Sequence, residues 1–300
     1  MKKFLILLPL VCLFGCYAGS VKPLLNRPEF RAENEPVRTL RVLLITDPSY
    51  RKDEIKKFIS KCSTLMEVQV GVRLEILHWY QIKWKDERSD ISKMEMRIAA
   101  DTWSQRDQFD IALTFVYFVQ GVEGGKLPLG ATDTFFWRYL FVKELDPYIL
   151  LHELFHAFLQ EKGHSANWVM RSARPSYGNE WYWLTPEDRK RVLRNKWRDF
   201  NLMPAGGKRE ENESKESWFY NNLGLIFFQQ GALDQAISLF NKSLEINPKY
   251  AAAYVSKGRA YHLKAEYDKS WEDIHKAEAL GSTIPAEFLD QLRRDSGRER

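Results

Sequence analysis

The sequence predicts an α+β protein, in which an α/β-type sheet layer is followed by an all-α region. Three observations carry this reading. Strand-like and helix-like segments alternate between residues 41 and 136, an apolar helix with start signals follows, and beyond residue 217 the chain repeats itself. With 300 residues, 44% of them hydrophobic and 28% charged, there is enough chain for two ordinary domains. The net charge of +5 comes from acids and bases mixed along the chain, which leaves no nucleic-acid footprint.

Residues 41–46 (RVLLIT) read as a strand and 53–66 as an amphipathic helix. Residues 72–84 alternate like a half-buried strand, and 91–103 have the apolar spacing of a helix. The β-branched and aromatic run 109–119 (FDIALTFVYFV) is a strand. The glycine-rich stretch 121–130 then reads as a loop feeding a short edge strand at 131–136. Asp146 and Pro147 suit the cap and first position of a helix running to about Gln160. The polar stretch 204–216 (PAGGKREENESKE) reads as a solvated linker.

The N-terminus has two lysines, an apolar run at 4–14 too short to span a bilayer, and small residues around a cysteine. Leu13-Phe14-Gly15-Cys16 resembles the lipobox of bacterial lipoproteins. That resemblance implies cleavage before Cys16, lipidation of Cys16, and an anchor in the cell envelope, with Tyr17 favouring the outer membrane. Cys12 would leave with the signal, so Cys62 would be the free thiol of the mature chain. Its place in an amphipathic helix points to a small buried hydrophobe.

His152-Glu153-Leu154-Phe155-His156 is an HExxH motif within the helix already expected there. Histidines four apart share a helix face, so both rings can reach one ion at about 2.0–2.1 Å from each nitrogen. Glu153 would then stand beside that ion, placed to take a proton from water and return it to a leaving amine. Leu151, Leu154, Phe155, Phe158 and Leu159 bury the rest of the helix. Burying both histidines and the glutamate without a cation would be costly.

The run 152–170, HELFHAFLQEKGHSANWVM, resembles the metzincin zinc peptidases and especially their matrixin-like branch. The resemblance covers about 41–200. It implies a zinc cofactor, His164 as third ligand, Met170 as the methionine turn, a last helix starting near 183–188, and a peptide substrate extended along the edge strand. Here Leu159 stands where that family has glycine, and His164 lies later than the family's third histidine. On an unbroken helix His164 would sit roughly 12 Å beyond His156 along the axis. The helix therefore has to end near Leu159 or Gln160, with Gly163 helping the chain turn back. Glu180 is the alternative third ligand, at a separation compatible with the thermolysin-like gluzincins. His78, His262 and His275 read as structural or exposed.

Gly224 and Gly258 share the period of the tetratricopeptide repeat, and 217–281 resembles two copies of it. Tyr220, Leu223, Phe227, Ala236, Phe240 and Pro248 fit the first copy. Tyr254, Tyr261, Ile274 and Ala277 fit the second, while Lys257 and Ser270 depart from it. Two repeats bury little core, so 284–292 is expected to be a capping helix.

The organisation expected is thus signal and lipobox at 1–20, tether at 21–36, metallopeptidase at 37–203, linker at 204–216, and repeats with cap at 217–300. The function expected is a lipid-anchored zinc endopeptidase whose repeats bind a protein partner. The alternative is a non-catalytic scaffold acting through the repeats.

Overall fold

The computed structural model describes residues 36–84, 91–116, 130–132, 136–161, 170, 182–202 and 209–298. The signal, the lipobox, nearly all of the tether, His164 and Glu180 lie outside them. Among the described residues no helix is long and apolar enough to cross a membrane.

A five-stranded sheet forms the N-terminal part, in the order β2-β1-β3-β5-β4. Its strands are β1 (Arg38–Thr46), β2 (Val72–Gln81), β3 (Ile111–Phe115), β4 (Gly130–Thr132) and β5 (Tyr139–Val142). β1 pairs in parallel with β2 and β3, β3 does so with β5, and only β4 runs antiparallel, at the edge. Parallel neighbours need crossovers, supplied by α1 (Lys52–Val70) and α2 (Ile91–Thr102). α1 ends where Gly71 takes φ 64° and its N–H reaches the Glu67 carbonyl.

Both faces of the sheet are covered, which is why residues 42–45 read as an unbroken apolar run. Leu40, Val42 and Leu44 face α1, α3 (Pro147–Leu159) and α4 (Pro186–Asn195). Leu43, Ile45, Ala112, Tyr139 and Phe141 face α2 and, unexpectedly, the first helices of the repeat region. Those are α5 (Arg209–Gln229) and α6 (Leu233–Ile246), whose Phe219, Tyr220, Leu223 and Leu239 are buried in the same cluster as Met94 and Ile98. Phe219 meets Phe136 edge-on, with ring centroids 5.0 Å apart. The sheet domain and the first repeat therefore share one core.

Two sequence expectations change here. The edge strand expected at 131–136 is present as β4 at Gly130–Thr132, residues 133–135 lying outside the described ones, and β5 is a strand the sequence does not predict. β5 is four buried residues long and carries no alternation by which to recognise it. The stretch expected to be a linker holds the start of α5, at Arg209. Its polar, charged sequence is compatible with a helix end that relies on the packing of later turns.

α7 (Ala251–Leu263) and α8 (Tyr267–Ala279) form a second helix pair, and α9 (Ala286–Ser296) covers its end as the expected cap. The helices approach closely because Gly224 and Gly258 have no side chain. A Cβ on Gly224 would lie 2.5 Å from the Phe240 ring, and one on Gly258 would lie 3.0 Å from Ile274. The two departures from the repeat pattern are put to use. Ser270 donates to the Gly258 carbonyl at 2.8 Å, and Lys257 pairs with Asp273 at 3.1 Å. Gly224→Ala is expected to destabilise the protein by about 1–3 kcal/mol through overpacking, read as a lower urea midpoint with an unchanged slope.

Candidate metal centre

α3 begins as the sequence indicates. The Asp146 carboxylate accepts from the Tyr148 N–H at 2.9 Å, and Pro147 occupies the first turn. Leu151, Leu154, Phe155 and Phe158 are completely buried, which fixes the helix in rotation about its axis. His152 and His156 then project on one side. Their Nε2 atoms lie 3.0 Å apart with the rings nearly perpendicular.

The helix ends at Leu159, within the bounds the sequence reading gave. Gln160 takes the left-handed conformation at φ 56°, and its N–H donates to the His156 carbonyl at 2.8 Å. That reversal brings the Glu161 carbonyl within 2.7 Å of His156 Nδ1. A carbonyl can only accept, so Nδ1 donates its proton there and Nε2 is the ring nitrogen turned toward His152. A ligating histidine is commonly oriented in this way. α4 holds the reversal from outside: Arg191 pairs with Glu161, and Asn195 donates to the Phe158 carbonyl at 2.9 Å. Arg198 donates to the carbonyls of Ala157 and Phe136 at 2.9 and 2.7 Å.

Glu153 is buried against the edge strand. Its Oε2 accepts from the Thr132 hydroxyl at 2.6 Å. Burial pushes the carboxyl up to about 7, against the lowering effect of the Thr132 bond. Gly130 permits this approach, since a Cβ there would lie 2.7 Å from Glu153 Oε1 and 2.8 Å from Ile149. Gly130→Ala is expected to cost about 1–3 kcal/mol by overpacking, measured as a fall in thermal midpoint.

Two aromatic rings flank the histidines: Tyr148 stacks beside His152 at 6.1 Å, and Trp137 lies 6.5 Å from His156. Trp137 holds φ 56°, a conformation costly for a bulky residue. Thr132, Gly130, Trp137 and the Glu161 carbonyl escaped the sequence reading. Nothing in the order of residues says that the edge strand and the segment before β5 lie against α3.

Two imidazoles whose Nε2 atoms converge, one of them oriented by a carbonyl, suit a borderline-soft cation such as zinc. Among the described residues no third histidine, cysteine or carboxylate joins them as a ligand cluster. Met170 is buried in the core that includes Leu154 and Phe155. Cys62 is free and buried, and burial pushes its thiol pKa up. His78 and His275 are exposed, and His262 pairs with Asp295 at 2.7 Å.

The helical C-terminal region has matches among known proteins. Residues 217–250 match a tetratricopeptide repeat family model, and 239–272 match a second one. Through this region the chain belongs to the tetratricopeptide-repeat family. It is 32% identical over 69 residues to the Photosystem I assembly protein Ycf3 of Acaryochloris marina, which is 23% of this chain and 42% of that one. Against Tetratricopeptide repeat protein 36 of Caenorhabditis elegans it is 35% identical over 57 residues, covering 19% and 32%. An uncharacterized protein of Methanocaldococcus jannaschii is 30% identical over 71 residues, which is 24% of this chain and 81% of that protein. The chain thus spans under half the length of the first two relatives. In this chain the first tetratricopeptide repeat is partly spent on covering the sheet, through Phe219, Tyr220 and Leu223.

Proposed function

We propose that the chain is a zinc-dependent endopeptidase whose tetratricopeptide repeats bring it to a protein partner. The observation that carries this reading is the convergence of His152 and His156 Nε2 at 3.0 Å, with His156 Nδ1 committed to the Glu161 carbonyl. His152 and His156 would hold the ion, with His164 as the third ligand and Glu180 as its alternative. When bound, zinc supplies Lewis acidity to water and to a peptide carbonyl.

The rest falls to the chain's own groups. Glu153 takes a proton from the attacking water on its carboxylate and passes it to the departing amine. Thr132 fixes one oxygen of that carboxylate, which leaves the other for the water. Beta4 is the antiparallel edge of the sheet, and an extended peptide can add to it through main-chain hydrogen bonds. Lipidation at Cys16 would hold the enzyme at the cell envelope, on the outer membrane.

Wild-type and Glu153→Ala proteins compared on a broad peptide pool, with bound zinc measured in both, test the assignment. Cleavage that is unchanged in the variant, or native protein without zinc, removes it. His164→Ala and Glu180→Ala, assayed for zinc, decide the third ligand.

A second reading is a non-catalytic scaffold acting through the repeats. It is favoured by the matches, one of which is to a protein named for assembly. The same peptide assay separates the two, because a scaffold leaves the pool intact.

A further inference from the structure

The seam between the sheet domain and the first repeat holds a partly open cavity of about 160 Å³. Its wall has cations from both sides: Arg106 and Arg138 from the sheet domain, and Lys242 from α6. Asp107 is the one carboxylate in the lining. Glu216 and Glu245 also act on Lys242 electrostatically, but neither lines the cavity.

Each cation lies over an aromatic ring that also borders the hollow. Arg106 is 4.4 Å from the Trp103 ring, Lys242 4.4 Å from the Tyr220 ring, and Arg138 5.9 Å from the Tyr139 ring. Trp103 and Tyr220 in turn meet edge-on at 5.9 Å across the seam. Arg138 is almost fully buried and donates to the carbonyls of Arg106 and Phe109, so its place in the wall is set by the backbone. Arg106 and Lys242 oppose each other electrostatically, although the surrounding contacts hold them together.

Three cations against one lining carboxylate leave an excess of positive charge around the hollow, which a group of opposite sign would relieve. The space is of the order that accommodates benzene, about 150 Å³, so a phosphate-sized oxyanion can enter it with part of its hydration or a small organic group attached. Arginine and lysine are the side chains that bind such groups through charge-assisted hydrogen bonds. We propose that this cavity binds a small oxyanion, either free phosphate or the phosphoryl group of a small metabolite, that bridges Arg106 and Lys242. The ligand would lock the first repeat onto the sheet domain, and the site is independent of the proposed peptidase chemistry.

The test uses the full-length protein and inorganic phosphate, titrated at constant ionic strength with chloride as the balancing anion. Saturable binding by calorimetry, with a matching rise in thermal midpoint, is expected. Lys242→Gln and Arg106→Gln are each expected to weaken binding at least about tenfold through loss of a charge-assisted hydrogen bond. Circular dichroism of each variant establishes that it is folded. Phosphorus NMR line broadening of added phosphate, lost in Lys242→Gln, gives a readout that does not depend on stability. A small phosphomonoester run beside phosphate distinguishes the two sources by which binds tighter. Absence of saturation in the wild type, or equal binding by both folded variants, overturns the proposal.

Discussion

Glu153→Ala is expected to cut peptide hydrolysis by about 10²–10⁴-fold, the range for loss of a positioned acid-base group, while zinc content stays at the wild-type level. The carboxylate is buried between α3 and the edge strand, with one oxygen tied to Thr132 and the other 2.7 Å from where a Cβ on Gly130 would stand. The variant also has a stability signature. In the metal-free protein the carboxyl sits at about 7, above its ordinary value of 4.5. The folded state therefore holds its proton longer, and stability falls as pH rises from about 4.5 to about 7. A Glu153→Gln protein should lack that slope in urea titrations. Turnover equal to wild type in Glu153→Ala would leave the site without its proposed chemistry.

Phe219→Ala is expected to cost about 3–5 kcal/mol, the range for a fully buried phenylalanine. For a chain of this size that corresponds to a fall in thermal midpoint of roughly 6–20 °C. The ring is completely buried and lies edge-on to both Phe136 and Tyr220. It sits on a helix that the sequence assigns to the repeats, yet it is buried in one cluster with residues of the sheet and α2. Loss of the ring should therefore lower a transition in which both parts melt together, seen as coincident unfolding by tryptophan fluorescence and by circular dichroism. Separate transitions, with only the repeats destabilised, would show that the shared core is not cooperative.

Helix starts and the repeats were legible because their signals are local. Asp146-Pro147 caps α3 as its residue types indicate, and α4 starts within the 183–188 stretch, with Thr185 accepting from the Asp188 N–H at 3.1 Å. The glycine spacing and aromatic pattern of the repeats likewise compress into a few dozen consecutive residues. The HExxH spacing placed two rings on one face, and the structure brings their Nε2 atoms together. Contacts made at long range were not legible. The Thr132 bond to Glu153, the hold of Arg198 on the Phe136 carbonyl and the shared core across Phe219 join residues separated by tens of positions. β5 escaped for a different reason. A four-residue strand buried on both faces has no alternation, and YLFV is as apolar as a helix segment.

The shared core also sets a timetable for biosynthesis. A chain emerging from a ribosome or a translocation channel delivers β1 to β5 first, and one side of that sheet has no complete cover until Leu239 of α6 has followed. At about 5–20 residues per second, the roughly one hundred residues from Phe141 to Leu239 leave that face waiting for about 5–20 seconds. A nascent chain arrested before residue 219 should therefore be a client for chaperones. One released after α6 should not.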